Sequence, residues 1–143
     1  MINKQEALAI HLDCEVDEIQ TIDEDNFKYY FEEYLVLTEE EADERTKEYI
    51  RESIWAFRAS FLVYHMDCTE KMTCEQAKDF ASMIQTLQET KCENANDILL
   101  AMIGENFDSL VQDAICADGR GHFLAHYDFQ EHEEGDFFIY RIN

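Results

Sequence analysis

Apolar and polar positions along the 143-residue chain follow two periods, one helical and one alternating. In NKQEALAIHLD, residues 3–13, Ala7, Leu8, Ile10, His11 and Leu12 can share a helix face, and Asn3 stands where an N-cap side chain accepts from the first turn. The spacing predicts a short amphipathic helix. EVDEIQTIDEDN, residues 15–26, has few apolar positions and reads as an exposed turn or loop. FKYYFEEYLVLT, residues 27–38, is aromatic and β-branched and predicts two short strands, with the hairpin turn near Phe31 to Glu33.

Thr38 opens TEEE, a capping box in which its hydroxyl accepts from the Glu41 amide while Glu41 reaches back. A helix over about 39–58 follows, with Ala42, Tyr49, Ile50, Ser53, Ala56 and Phe57 on its inner side. A second box, Thr73 with Gln76, starts a helix carrying Ala77, Phe80, Ala81, Ile84 and Leu87. Asn94 or Asn96 starts a third, with Ile98, Leu99, Met102 and Ile103, and GENFDSLVQDAICADG makes a fourth that Gly119 ends. HFLAHYDFQ then alternates, with His122, Leu124, His126 and Asp128 on one face and Phe123, Ala125, Tyr127 and Phe129 on the other. EHEEGD makes the turn and DFFIYRI returns as a strand. The pattern as a whole predicts one compact α+β domain, residues 1–143, in which four or five helices cover one face of a small antiparallel sheet built from two β-hairpins.

Composition leaves that picture intact. There is no proline, and the four glycines mark no linker or repeat, while 46% hydrophobic and 13% aromatic residues are enough for a core. No run of about 18 apolar residues and no basic start before an apolar stretch marks membrane insertion or export. The expected setting is therefore cytoplasmic. The five cysteines are odd in number and include no C-x-x-C pair, so reduced thiols are expected rather than a disulfide framework.

Charge changes the functional reading. Thirty-three acids against eleven Lys and Arg give −22, and the first fifty residues hold sixteen acids against four bases. Such a surface repels nucleic acids and membranes and attracts basic partners. Direct nucleic-acid binding is excluded on that ground.

Candidate chemistry is sparse. His122, His126 and Asp128 on one strand face, with Glu131, His132, Glu133 and Glu134 beyond, are what a metal-dependent enzyme would use, but strand positions four apart lie about 13 Å from each other, too far for one tetrahedral zinc. His65, Cys68 and Cys74 match no standard zinc spacing and no nucleophile motif. Gly119 and Gly121 in DGRG lack the pattern of a phosphate loop. The expectation is a non-enzyme with no catalytic residue, no metal and no cofactor.

The acids themselves are the candidate site: Glu15, Asp17, Glu18, Asp23, Glu24 and Asp25 in the loop, then Glu39, Glu40, Asp43, Glu44 and Glu48 on the helix. Carboxylates three or four apart on a helix lie about 5–6 Å from one another, and duplex DNA carries one charge per about 1.7 Å of axis. A rigid acidic face can imitate that array against a Lys/Arg-rich groove. An adaptor that binds through exposed aromatic side chains is the alternative within the binding class.

The stretches EALAIHLDCEVDEI, EEYLVLTEEEADE, YIRESIWAF, DGRGHFLAHYD and IYRIN resemble small acidic accessory proteins of bacteriophages and conjugative elements, over most of the chain. That resemblance carries no catalytic residue with it. It implies a setting, because accessory proteins of mobile elements often inhibit host defences such as restriction enzymes and CRISPR effectors, several of them as acidic DNA mimics. The partner it implies is the basic groove of such a defence protein inside a bacterial host.

Overall fold

The structure is a computed structural model describing residues 1–143, and the chain divides into two compact units, residues 1–47 with 118–143, and residues 48–117. The first unit opens with α1 (Lys4–Leu12). Asn3 caps it as expected, accepting from the Glu6 amide at 2.8 Å while the Glu6 carboxylate accepts from the Asn3 amide. Its buried residues are Ala7, Leu8 and Ala9, and Ile10, expected inside, is exposed. A 3-10 turn at Val16–Glu18 leads to β1 (Gln20–Thr21), β2 (Asn26–Tyr29) and β3 (Glu32–Thr38). Residues 15–26 are thus less irregular than the sequence implied.

After β3 comes α2 (Glu39–Ser53). The Thr38 box closes it as the sequence requires, with the Thr38 amide donating to Glu41 at 2.9 Å and the Glu41 amide to the Thr38 hydroxyl at 3.3 Å. The chain returns to this unit through α7 (Arg120–Leu124), β4 (His132–Glu134) and β5 (Phe137–Arg141). The five strands form one antiparallel sheet in the order β1-β2-β3-β5-β4, an α+β arrangement that contains the expected β2–β3 hairpin and a C-terminal hairpin whose first strand differs from the expected one.

Helices cover both faces of this sheet rather than one. Tyr34 and Val36 of β3 join Leu8 and Ala9 of α1, Phe27 and Ile139 on one face. Leu35 and Leu37 join Ala42 of α2, Leu124, Ala125 and Tyr140 on the other. The physical sign was the run YLVL, continuous rather than alternating, which belongs to a strand buried on both sides.

The largest correction falls on HFLAHYDFQ. It is not a strand: residues 120–124 are α7, the chain turns through Phe129, and the C-terminal hairpin is β4–β5 with Gly135 in its turn. Phe123 and Leu124 are neighbours and both buried, which the expected strand, with Leu124 on its polar face, does not allow. Gly121 explains the fold-back. A Cβ there would stand 2.8 Å from the carbonyl oxygen of Phe129, so this segment packs against glycine backbone. The β2–β3 turn is also earlier than expected, at Tyr30–Phe31.

The second unit holds the end of α2, then α3 (Ala59–Tyr64), α4 (Cys74–Lys91), α5 (Asn96–Ile103) and α6 (Phe107–Asp118). The helix expected to reach residue 58 stops at Ser53, and a 3-10 turn, Ile54–Ala56, follows. Tyr49 is exposed, while Thr46 is buried with its hydroxyl bonded to the Ala42 carbonyl. The Thr73–Gln76 box starts α4 as expected. Asn96 does not cap α5 with its side chain: its amide oxygen accepts from the Trp55 amide and its nitrogen donates to the Arg51 carbonyl. Gln88 of α4 donates to the carbonyls of Trp55 and Phe57, so two side-chain amides fix the Trp55 turn between helices.

Leu37→Ala should cost about 2–5 kcal/mol, because Leu37 is fully buried and its loss leaves a cavity. Gly121→Ala should cost about 1–3 kcal/mol by overpacking against backbone that cannot rotate away. Urea denaturation of the two variants checks both.

Candidate functional site

The acids are unevenly distributed. The first unit holds twenty-one of them against six Lys and Arg, and the second twelve against five, so −15 of the −22 belongs to the first unit. Lys4, Arg45, Arg120 and Arg141 are each committed to particular acids. Lys4 on α1 bonds Asp25 and, at 2.8 Å, Glu41. Arg45 on α2 bonds the other oxygen of Asp25 at 2.9 Å. Arg120 bonds Asp43 and Glu131, each at 2.9 Å, and Arg141 bonds Glu32 at 3.1 Å.

Titration follows these contacts. Burial opposes the Lys4 charge, but the bonds to Asp25 and Glu41 outweigh it and the pKa rises. Glu41 is held below the ordinary glutamate value, first by Lys4 and then by the Thr38 amide. The same carboxylate therefore caps α2 and ties it to α1. Lys4 and Arg45 together draw the turn at residues 23–26 against the first turns of α2. The 15–18 segment is tied to α1 instead, through the Gln5 amide, which donates to the carbonyls of Val16 and Ile19.

Set against this network, the eleven sequence-predicted acids separate. Asp25 and Asp43 are neutralised by cations, and Glu48, which belongs to the second unit, lies 3.8 Å from Arg51. Asp23 builds its own turn, accepting from the amides of Asp25 and Asn26 and from the Asn26 side chain, and the Asn26 bonds lead in lowering its pKa. Glu15, Asp17, Glu18, Asp23, Glu24, Glu39, Glu40 and Glu44 are all exposed and have no ion-pair partner.

Sequence reasoning missed Arg120. Its side chain is 10% exposed, lies over the Phe138 ring at 4.6 Å, and also donates to the Glu39 carbonyl at the start of α2. Glu131 accepts from Tyr140 as well. Burial disfavours the guanidinium charge, but Glu131, Tyr140 and Asp43 outweigh it and raise the pKa; burial and then Glu131 push the Tyr140 phenol up. The available sign was composition: Arg120 and Arg141 are the only cations in the last fifty residues.

The histidines do not assemble a metal centre. His122 packs against the rings of Phe123 and Phe129, Asp128 accepts from the Gln130 amide, and His132 lies 4.7 Å from His11, ring centre to ring centre. No group of three or more His, Cys, Asp or Glu converges as a metal site would require. His65 is buried with both ring nitrogens occupied: Nδ1 donates to the Phe61 carbonyl at 3.0 Å and Nε2 meets Asp113 at 2.7 Å. Neither nitrogen faces Cys68 or Cys74, which are exposed free thiols.

None of the family models, curated proteins or solved structures compared with the chain matches it. No helix is long and apolar enough to cross a membrane.

Arg120→Met should destabilise the fold by about 1–3 kcal/mol, since it leaves the partly buried Glu131 carboxylate without its guanidinium partner, while the exposed Asp43 is rehydrated. His11 gives a pH dependence. Burial and then His132 hold its pKa below the ordinary histidine value, so the unfolded chain binds the proton more readily. Stability from this group is complete above about pH 6.5 and declines as the pH falls through the lowered folded-state value. His11→Gln should flatten that decline in chemical denaturation measured between neutral and mildly acidic pH.

Proposed function

We propose that this protein is a non-enzymatic inhibitor carried by a phage or mobile element, which docks its acidic surface into the Lys/Arg-rich, nucleic-acid-binding groove of a bacterial defence protein of the restriction or CRISPR type. The observation that carries the reading is the sorting of charge: cations are matched to the acids that brace the fold, while eight exposed carboxylates of residues 15–44 have no ion-pair partner. Unpaired carboxylates on a braced surface repel one another at a cost to stability. A basic groove relieves that repulsion and exchanges it for attraction, with ions released from both surfaces.

Glu40 and Glu44 stand one helical turn apart on α2, about 5–6 Å from each other. Together with Glu39 and the Asp23–Glu24 turn that Lys4 and Arg45 hold beside the helix, they form the part of the surface best suited to imitate a run of phosphates. Asp43 is excluded from that set because it answers Arg120. Salt should act in opposite directions on the two properties: screening stabilises the fold by damping self-repulsion and weakens docking by damping attraction.

The test is inhibition of DNA cleavage by purified restriction nucleases and CRISPR effectors, at low and high salt. The variant Glu39→Lys/Glu40→Lys/Glu44→Lys should lose inhibition by about 100-fold with the fold retained. Asp43→Lys should instead destabilise the protein. Undiminished inhibition by the triple variant, or inhibition indifferent to salt, would sink the reading.

A further inference from the structure

The second unit contains a cleft of about 340 Å³, open to solvent, between residues 57–60 and the middle of α4. α4 is sparsely covered on this side. Of its eighteen residues only Ile84 is buried, and Ala81, which lines the cleft, is half-buried. Gln88 joins the two walls, its side-chain amide donating to the Phe57 carbonyl at 2.6 Å, so one edge of the cleft is fixed before anything enters it. The volume lies at the small end of the roughly 300–1,000 Å³ of typical ligand sites.

The lining specifies the chemistry. Acids make up 33 of the 143 residues, yet none lines this cleft, and its charged residue is Arg58. The other four arginines all meet carboxylates: Arg45 meets Asp25, Arg51 meets Glu48, Arg120 meets Asp43 and Glu131, and Arg141 meets Glu32. Arg58 forms no ion pair and covers no ring, although acids outnumber bases in its unit by twelve to five. An arginine kept clear of carboxylates in so acidic a chain has its planar donors free for an anion from outside. The exposed Ser60 hydroxyl beside it makes no hydrogen bond within the chain, and Gln85 spends one amide N–H on Glu89 and has a second to give. Phe57, Ala59 and Ala81 supply the apolar surface. The positive charge is that of Arg58 alone, α3 being only six residues long.

We propose that this cleft binds a small organic monocarboxylate, with the carboxylate on the Arg58 guanidinium, the Ser60 hydroxyl and Gln85 amide as further donors, and an apolar or aromatic body against Phe57, Ala59 and Ala81. One guanidinium balances one negative charge. A phosphate monoester, close to a dianion at neutral pH, leaves its second charge uncompensated in a chain of net charge −22. The site stands apart from acidic docking, since its residues fall between 57 and 88 and the unpaired carboxylates between 15 and 44. It gives the second unit a binding role of its own.

The test titrates benzoate, its neutral counterpart benzamide and its cationic counterpart benzamidine into the isotope-labelled full chain at one ionic strength, reading amide shifts. Benzoate should bind saturably, with Kd on the order of 1 mM, and move the amides of residues 57–60 and 81–88. It should bind about fivefold more tightly than benzamide. Benzamidine, which the net charge attracts to the whole surface, should give no saturable shift in those segments. Arg58→Gln, at an exposed position, should keep the amide spectrum of the folded chain and lower the benzoate affinity to that of benzamide. Ala81→Leu should close the cleft to both. Benzoate shifts that do not saturate or centre elsewhere, equal affinity for benzoate and benzamide, or benzoate affinity unchanged in Arg58→Gln would overturn the site. Phenyl phosphate binding more tightly than benzoate would overturn the choice of a monocarboxylate. Docking fails separately, if the triple lysine variant still inhibits cleavage fully.

Discussion

β3 is paired along both edges and buried on both faces, and the first unit is organised around that strand. β2 and β5 bond its two edges. Its alternate side chains enter two separate cores, one under α1 and one under α2 and α7. Its last residue, Thr38, caps α2, so the strand and the helix share one hydrogen-bonded junction. Glu41 completes that junction and also receives Lys4. One ion pair thereby joins both layers to the strand between them.

The charge has to fit this frame. A carboxylate withdrawn from water is tolerated where a cation or several amides meet it, and the partly buried acids Asp25, Glu41, Glu131 and Glu32 each have such a partner. With six cations for twenty-one acids in the first unit, most of the remainder stays exposed. The surface acidity is thus a residue of internal pairing as well as a candidate for recognition. Which acids are left over depends on where Lys4, Arg45 and Arg120 reach, and these three link segments far apart in the chain.

The second unit relies on uncharged devices. Asn96 and Gln88 bridge carbonyl and amide groups that helix ends leave unsatisfied. His65 does the same with two acceptors, and Arg51 stacks on Phe107 at 4.9 Å. These polar side chains are readily taken for site residues when read one at a time. Their geometry assigns them to helix packing.

Local signals carried most of the elements. Three capping boxes or caps, at Asn3, Thr38 and Thr73, set helix starts that the structure keeps, because a cap is a contract among residues three apart and needs no distant partner. The run of acids, the excess in the first fifty residues and the presence of two hairpins were legible for the same reason. The segment after Gly119 was not. Its alternation satisfied a strand, and the close approach of Gly121 to the backbone of residues 129–131 made it a short helix and a turn. Nor could the sequence separate Asp25 and Asp43 from Glu24 and Glu44, since all are acids in acidic runs. Tertiary structure decided that division, because Coulomb attraction and the cost of burying an unpaired charge act through space and fall off within a few ångströms, whatever the separation along the chain.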